Sequence, residues 1–229
     1  MRMKRRSFLA AGLAAAVRPA RATEAASGVD VAVALAIDSS SSVSMDEFYL
    51  QMEGYAAAFR HPAVAEAIGS GRVGAIAVAM FEFADAKTHT MNLEWRRIGA
   101  AADLEAYAKE CEIAPRLVVG GATAIGDAID FAHEALDACP FPAARRVIDV
   151  SGDGASNQGR SVLAARADAL AAGIAINGLP ILNEEPALDA YYRLFVVGGP
   201  GAFVIPARDY ADFREAIRDK LVREIRYVA

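Results

Sequence analysis

The chain has 229 residues, of which 55% are hydrophobic and 23% charged, and its formal net charge is −5. This length and composition predict a folded chain of one or two domains and argue against an intrinsically disordered protein. The acidic balance argues against nucleic acid or an anionic membrane as the main partner.

The first 22 residues have the features of an export signal and are set aside from the fold. Residues 4–6 are basic, a short apolar run covers 10–17, and an Ala-x-Ala cleavage site ends at Ala22. The paired arginines followed by Ser-Phe-Leu resemble a twin-arginine signal, with an ordinary signal peptide as the alternative. The apolar run is too short for a membrane anchor, which needs about 20 residues. We therefore expect a periplasmic or secreted bacterial protein with no stable membrane anchor.

Cleavage of this signal makes the mature chain more acidic. It removes six basic residues and no acid, so the net charge changes from −5 to −11. A surface of this charge strengthens the case against nucleic acid as a partner.

Apolar runs and helical spacing alternate along the rest of the chain. The nearly unbroken apolar run 29–37 predicts a strand that is buried on both faces. Further strands are predicted at 73–83, 88–93, 146–150, 174–179 and 202–205, and 88–93 is expected to pair antiparallel across a hairpin at 84–87. Helices are predicted at 46–60, 101–111, 124–138, 161–172, 187–195 and 210–227, the first of them ended by Pro62.

Strands that alternate with helices predict an α/β fold. We expect a doubly wound, mostly parallel, Rossmann-like sheet with one short antiparallel edge strand and helices on both faces. Residues 23–28 are assigned to a linker and 29–229 to this single domain. In such a sheet the C-terminal ends of the parallel strands lie along one edge, so the loops that follow them meet there.

The loop after the first strand carries the strongest chemical signal in the chain. It reads Asp38-Ser39-Ser40-Ser41-Ser42 and places one carboxylate and several hydroxyls in a short turn. No thiol or imidazole is near, so the loop suits a small hard cation: Mg²⁺ first, with Mn²⁺ and Ca²⁺ as alternatives. The loops 120–123 and 151–154 are predicted at the same edge of the sheet. The sequence thus predicts a metal site formed by Asp38, Ser40, Ser42, Thr123 and Asp153.

Other charged and sulfur-containing residues receive a plain interpretation. Glu82 and Asp85 belong to the hairpin at the same predicted edge, and we interpret both as solvated charges. Cys111 and Cys139 would pair in an oxidising compartment or remain as two buried free thiols.

The candidate ligands resemble those of the von Willebrand factor type A domain, and the likeness runs from about residue 29 to the C-terminal helix. Asp38, Ser40 and Ser42 match that family's Asp-x-Ser-x-Ser motif, Thr123 its threonine and Asp153 its second aspartate. The stretches 147–160, 174–180 and 198–203 look like an exported, uncharacterised bacterial branch of the family.

The resemblance implies a metal-ion-dependent adhesion site. It implies that Ser40, Ser42 and either Thr123 or an acid hold Mg²⁺ directly, and that the remaining acids act partly through water. An open coordination position is then completed by a carboxylate from a partner. We therefore expect a module that binds a protein partner offering an Asp or Glu carboxylate, and not an enzyme.

Two other classes of function compete with this expectation. One is a structural or assembly factor in which the metal only stabilises the fold. Type A domains also act beside ATPases, and since this chain has no phosphate loop, such an ATPase would be a separate subunit. The other is a metal-dependent hydrolase. A dehalogenase-type phosphatase needs an acid where Ser40 stands, and a serine hydrolase needs a base, whereas His61, His89 and His133 fall away from the loops.

Overall fold

The computed structural model describes residues 28–226. Within that range five strands form one sheet in the order β3-β2-β1-β4-β5. The strands are β1 Val29–Asp38, β2 Ile76–Phe83, β3 His89–Ile98, β4 Ala143–Gly152 and β5 Ile174–Pro180. The helices are α1 Met45–Arg60, α2 Pro62–Gly69, α3 Ala101–Ile113, α4 Ile125–Asp137, α5 Val162–Ala171, α6 Leu188–Tyr191 and α7 Phe213–Arg226, and a π-helical turn, Tyr192–Val196, continues α6.

Strand β1 lies at the centre of the sheet and is covered on both faces. Its large side chains at 31, 33, 35 and 37 pack with α1, α2, α3 and α7 in one hydrophobic core. Its alanines at 32, 34 and 36 face the second core, which is filled by α4, α5 and the α6 segment. Successive side chains of a strand point to opposite faces, so this alternation of large and small residues serves two helix layers. The predicted doubly wound fold is confirmed.

The strand register determines which loops meet at one edge. Strand β1 pairs parallel with β2 and with β4, and β3 pairs antiparallel with β2. Ile37 is opposite Glu82 on one side and Ser151 on the other. Asp38, Glu82 and the loop after Gly152 therefore lie at the same edge of the sheet.

The segment around Pro62 was predicted as the end of a helix and is in fact the start of another. Pro62 occupies the first turn of α2, where its missing N–H removes no hydrogen bond. The His61 ring caps this helix, because its Nδ1 accepts a hydrogen bond of 3.1 Å from the amide of Ala63. Helix α1 ends at Arg60 as predicted, and the chain turns directly into α2.

The predicted strand at 202–205 is wrong. This segment pairs with β5 only at one isolated bridge, between Val204 and Gly178. Gly199 and Gly201 both have positive φ, and Pro200 stands between them, so the chain bends instead of pairing continuously. The predicted hairpin strand, by contrast, is longer than expected and extends to Ile98.

The two cysteines are free thiols on opposite faces of the sheet. Cys111 is a buried residue of α3 in one core, and Cys139 packs against the core on the other face. The sheet separates the two sulfur atoms, so Cys111 and Cys139 are unpaired in this structure.

The predicted export signal, residues 1–22, lies outside the described residues. None of the described helices has the length and apolar character that a membrane crossing requires.

Candidate metal site

The loop after β1 is built around the carboxylate of Asp38. This residue ends the strand and is fully buried. Its Oδ1 accepts a hydrogen bond of 2.8 Å from the amide of Ser40, which tightens the turn. The Ser40 side chain is also buried, whereas Ser42 is exposed. The loop therefore opens to solvent on the side of Ser42.

Hydroxyl and carboxylate oxygens from three loops meet beside Ser40. The Thr123 hydroxyl donates to Ser40 Oγ over 3.2 Å, and Ser40 Oγ lies 3.2 Å from Ser42 Oγ. The Ser42 hydroxyl donates to Asp153 Oδ1 over 2.6 Å. The structure thus brings all five predicted residues into one cluster, although they are separated by up to 115 positions.

The loop that carries Thr123 is fixed to the loop after β1 by backbone contacts. The amide of Gly121 donates to Ser41 Oγ over 2.9 Å, and the amide of Ser41 donates to the carbonyl of Gly121 over 3.1 Å. Gly120 and Gly121 have φ of 77° and 106°, which L side chains rarely adopt. The two glycines allow the turn that places Thr123 over Ser40.

The start of α4 is attached to the loop after Asp153. The amide of Thr123 donates to Asn157 Oδ1 over 2.9 Å, and the amide of Asn157 donates back to the Thr123 carbonyl. The Ser156 hydroxyl accepts from the amide of Ile125 over 3.2 Å, which supplies the cap that Ala124 lacks. These contacts fix the position of Thr123 relative to the loop that carries Asp153.

One oxygen of Asp38 is buried without a hydrogen-bond partner among the described residues. This atom is Oδ2, and a side chain at Gly152 would approach it to 2.7 Å. Burial raises the pKa of Asp38 to about 7, and the charge of Asp153 adds to the rise, while hydrogen bonds from Ser40 oppose it. The charge of Arg116 opposes the rise least. A buried carboxylate is costly unless it is well paired, so this position favours an additional positive charge.

Tyr210 orients the second carboxylate and was missed by the sequence analysis. Its hydroxyl donates to Asp153 Oδ2 over 3.0 Å, and both residues are buried. Burial, together with the charge of Asp153, raises the pKa of Tyr210 well above its ordinary value, so the hydroxyl remains a donor. Tyr210 lies in the segment before α7, where it resembled an ordinary core aromatic, and only its position reveals the contact.

Replacing Tyr210 by phenylalanine is expected to lower the free energy of unfolding by about 1–3 kcal/mol, because Asp153 Oδ2 is left buried without its donor. Urea denaturation in the presence of chelator measures this loss. Tyr49, which is 43% exposed on α1, is the matched control, and Tyr49→Phe is expected to change stability by less than about 0.5 kcal/mol. Equal losses in the two variants would contradict this role of Tyr210.

The donor set fits a small hard cation. Three hydroxyls and two carboxylates are oxygen donors of the type that Mg²⁺ and Mn²⁺ accept, and Asp38 Oδ2 is an orphaned acceptor beside them. The described residues contain no cluster of three or more His, Cys, Asp or Glu side chains that could hold a metal. A cation at this edge would therefore depend on the hydroxyls of Ser40, Ser42 and Thr123.

The interpretation of Glu82 as a solvated charge is wrong. Its side chain is fully buried in β2, where it accepts hydrogen bonds from the Ser39 hydroxyl and from the amides of Leu117 and Val118. The apolar strand that contains Glu82 indicated burial, whereas the charge of the carboxylate suggested exposure to solvent. Asp85 is more exposed and accepts from the Thr88 hydroxyl in the hairpin turn.

Comparison with solved structures shows that the chain has the von Willebrand factor type A fold, as the resemblance implied. Proximal thread matrix protein 1 (PTMP1) from the mussel byssus, solved with a zinc-occupied MIDAS motif, is 18% identical at a TM-score of 0.56, and the match covers 87% of this chain and 46% of that one. BatB from Bacteroides thetaiotaomicron is 16% identical at a TM-score of 0.55, with 85% and 98% covered. A von Willebrand factor type A protein from Catenulispora acidiphila is 19% identical at 0.55, with 85% and 42% covered.

This chain spans less than half the length of the PTMP1 structure. The family described as protein of unknown function DUF1194 matches residues 28–229. No curated protein matches the chain.

Proposed function

This chain belongs to the DUF1194 family, and we propose that it is an exported module that binds a protein partner through a divalent cation. The observation that carries the proposal is the convergence of three hydroxyls and two carboxylates from three separate loops. A loop that only capped a helix would not need the Thr123 and Asp153 side chains beside Ser40. The orphaned oxygen of Asp38 supports the same conclusion, because a cation would give this buried oxygen a partner.

The residues of the cluster divide by chemistry into two groups. The hydroxyls of Ser40, Ser42 and Thr123 are neutral donors, so they would hold the cation without reducing its charge. Asp38 and Asp153 would offset that charge, either directly or through water, and Tyr210 keeps the Asp153 carboxylate oriented. A dication held mainly by neutral oxygens attracts an anionic oxygen strongly.

Mg²⁺ is the cation we assign to the site, with Mn²⁺ and Ca²⁺ as alternatives. The donors are all hard oxygens, which favour Mg²⁺ over softer metals. The zinc-occupied MIDAS motif of PTMP1 supports the view that this fold accommodates a dication. Zinc prefers nitrogen and sulfur ligands, and the five side chains of this cluster offer only oxygen.

A partner carboxylate is the ligand that the exposed side of the site suits. Ser41 and Ser42 are exposed, whereas Asp38, Ser40 and Asp153 are buried beneath them. A partner would therefore approach over the two serines and present an Asp or Glu side chain to the cation. Because the chain itself is acidic, an acidic side chain would be attracted only where the cation offsets the local charge.

Export supports a binding role outside the cytoplasm. The twin-arginine pattern and the Ala-x-Ala site within residues 1–22 carry this part of the proposal. Cleavage between Ala22 and Thr23, found by N-terminal sequencing of protein from the periplasm, is the expected result. An uncleaved chain recovered from the cytoplasm contradicts it.

The wild-type protein is expected to bind one Mg²⁺ or Mn²⁺ in a calorimetric titration. At a cation concentration of about 100 times Kd, binding stabilises the folded state by about 2.7 kcal/mol. For a domain of this size the melting temperature rises by about 5–10 °C relative to the protein in EDTA. Ser40→Ala is expected to abolish both signals. A wild-type protein with the same melting temperature in EDTA and in Mg²⁺, and no heat of binding, refutes the metal site.

Binding of a partner is tested separately from binding of the metal. Wild-type and Ser40→Ala proteins are immobilised and exposed to periplasmic extract in Mg²⁺ or in EDTA. A protein retained only by the wild type in Mg²⁺, and released by EDTA, is the expected result. Metal binding with identical retention under all conditions would instead support the structural alternative, in which the cation only stabilises the fold.

A further inference from the structure

Glu82 is a buried carboxylate beside the candidate metal site, and none of the roles assigned above uses it. It lies on β2 opposite Ile37 of β1, one residue before the level of Asp38. Its side chain has no exposed surface. Burying a carboxylate is costly unless it is well hydrogen-bonded, so its partners reveal what it stabilises.

The partners of Glu82 come from three different segments. Oε2 accepts from the Ser39 hydroxyl over 2.9 Å and from the amide of Val118 over 2.9 Å. Oε1 accepts from the amide of Leu117 over 2.9 Å and from the side-chain amide of Asn92 on β3. One carboxylate therefore joins the loop after β1, the strand β3 and the segment that leads to Thr123.

Arg116 reinforces the same junction from the other side. Its guanidinium donates to the carbonyls of Ser39 and Val43 over 2.8 Å each, and to that of Ser40 over 3.2 Å. Its Nε donates to the carbonyl of Val118 over 2.8 Å. Glu82 thus accepts from the Asp-x-Ser-x-Ser loop and from the amides of 117–118, while Arg116 donates to carbonyls of the same loop. Together the two side chains connect the loop to the 116–118 segment.

From this junction we propose that Glu82 is a positioning residue for the metal site. It determines where the loop of Asp38 and Ser40 stands relative to the loop of Thr123, and so it sets the affinity for the cation. This inference rests on the proposed metal site and concerns a residue that would not touch the ion. Groups that orient metal ligands typically change metal affinity by about 10–100-fold when they are replaced.

The variant Glu82→Gln removes this function while it keeps the volume of the side chain. Both oxygens of Glu82 receive donors, so either orientation of a glutamine amide directs its own N–H groups at other donors. The 117–118 segment then loses one of its two acceptor oxygens, and the two loops are held together less firmly.

Asp30 provides a matched control at the opposite end of the sheet. It lies near the start of β1, and its carboxylate accepts from the amides of Val73 and Gly74 over 2.9 and 2.8 Å. Asp30→Asn therefore disrupts a carboxylate that fixes backbone amides in the same way, but far from Ser40. It separates a general loss of stability from a specific loss of metal affinity.

Calorimetric titration with Mn²⁺ tests the proposal on the wild type, Glu82→Gln and Asp30→Asn, and urea denaturation in EDTA records their stabilities. Glu82→Gln is expected to raise the Kd for Mn²⁺ by about 10–100-fold, and to speed hydrogen exchange at the amides of Leu117 and Val118. Asp30→Asn is expected to lose stability while it keeps the wild-type Kd.

Two results overturn the proposal. One is a Kd for Mn²⁺ in Glu82→Gln that equals that of the wild type; the other is a rise in Kd in Asp30→Asn as large as that in Glu82→Gln. If Glu82→Gln does not fold, Ser39→Ala decides, since it removes only the direct contact to the metal loop. That variant is expected to raise Kd about fivefold, and an unchanged Kd overturns the proposal. A wild-type protein that binds no Mn²⁺ is a different failure, because it refutes the metal site itself.

Discussion

Replacing Lys220 by methionine is expected to lower the free energy of unfolding by about 3–5 kcal/mol, because it leaves two buried carboxylates without their cation. Urea denaturation at pH 8 measures this loss. Methionine preserves most of the volume and the apolar stem of lysine, so the change reports on the charge rather than on a cavity.

The size of this effect follows from the burial of the whole cluster. Lys220 on α7 is fully buried and contacts Asp149 Oδ2 on β4. Its ammonium also lies 3.4 Å from Glu224 Oε1, which accepts a hydrogen bond of 2.7 Å from Asn177 on β5. One lysine thus faces two acids in the layer between α7 and the sheet. Breaking such a group by removing one partner costs more than the group contributes to stability.

The loss is expected to depend on pH, with a sign that follows from the carboxyl groups. Burial raises the pKa of Asp149, the charge of Glu224 adds to the rise, and Lys220 opposes it. Without Lys220 the pKa of Asp149 rises further, so this carboxyl favours the protonated form in the folded state. A raised folded-state pKa means that stability falls as pH rises above the ordinary pKa of an aspartate. The loss in Lys220→Met is therefore smaller at pH 5 than at pH 8.

Lys109→Met is the control for this prediction. Lys109 on α3 is 66% exposed and forms an i,i+4 ion pair with Glu105. Exposed pairs of this kind contribute about 0.3–0.5 kcal/mol, so the control should remain close to the wild type at both pH values. A loss in Lys220→Met no larger than that of the control would mean that the buried cluster does not stabilise the fold.

Asp38→Ala is expected to weaken Mg²⁺ and Mn²⁺ binding by at least about 100-fold, more than the loss for a residue that only orients a ligand. Asp38 is the carboxylate whose Oδ2 has no partner among the described residues, so its removal takes away the charge that the cation would offset. The domain should remain folded in EDTA, because the variant loses one hydrogen bond, from the amide of Ser40, and also loses the cost of burying the carboxylate. Calorimetric titration and circular dichroism measure the two properties.

Asp46→Ala is the matched control for the loss of metal binding. Asp46 is an exposed acid in the first turn of α1, close in sequence but outside the cluster. It should keep the wild-type affinity. If Asp38→Ala also keeps that affinity, the cation binds elsewhere. If the variant unfolds in EDTA, the hydrogen bond from the Ser40 amide to Asp38 stabilises the fold more than we expect.

Most of the fold could be predicted because its signals are local. The apolar run at 29–37 and the helical spacing at 46–60 correspond to β1 and α1 within one residue at either end. The misses occurred where long-range contacts decide. Pro62 is compatible with both the end and the start of a helix, and the segment 202–205 has strand-like composition but meets β5 only at an isolated bridge.

The residues of the candidate site could be predicted, whereas their supporting contacts could not. Asp38, Thr123 and Asp153 belong to loops that topology alone brings to one edge, and the structure places them together. Tyr210 has no local pattern that distinguishes it from an ordinary core aromatic, and the apolar strand around Glu82 indicated burial without revealing what its carboxylate contacts. The cation and the partner remain predictions.

The sequence by itself determined most of the strands and helices, the edge of the sheet where the loops meet, and the oxygen donors in those loops. Each of these depends on periodicity and residue type within a short stretch of chain. Only the tertiary structure decided which charged residues are buried: Glu82 under the loops, and Lys220 between α7 and the sheet. Burial depends on segments far away in the sequence that pack over a residue, and the charge of the residue alone would have placed both in solvent.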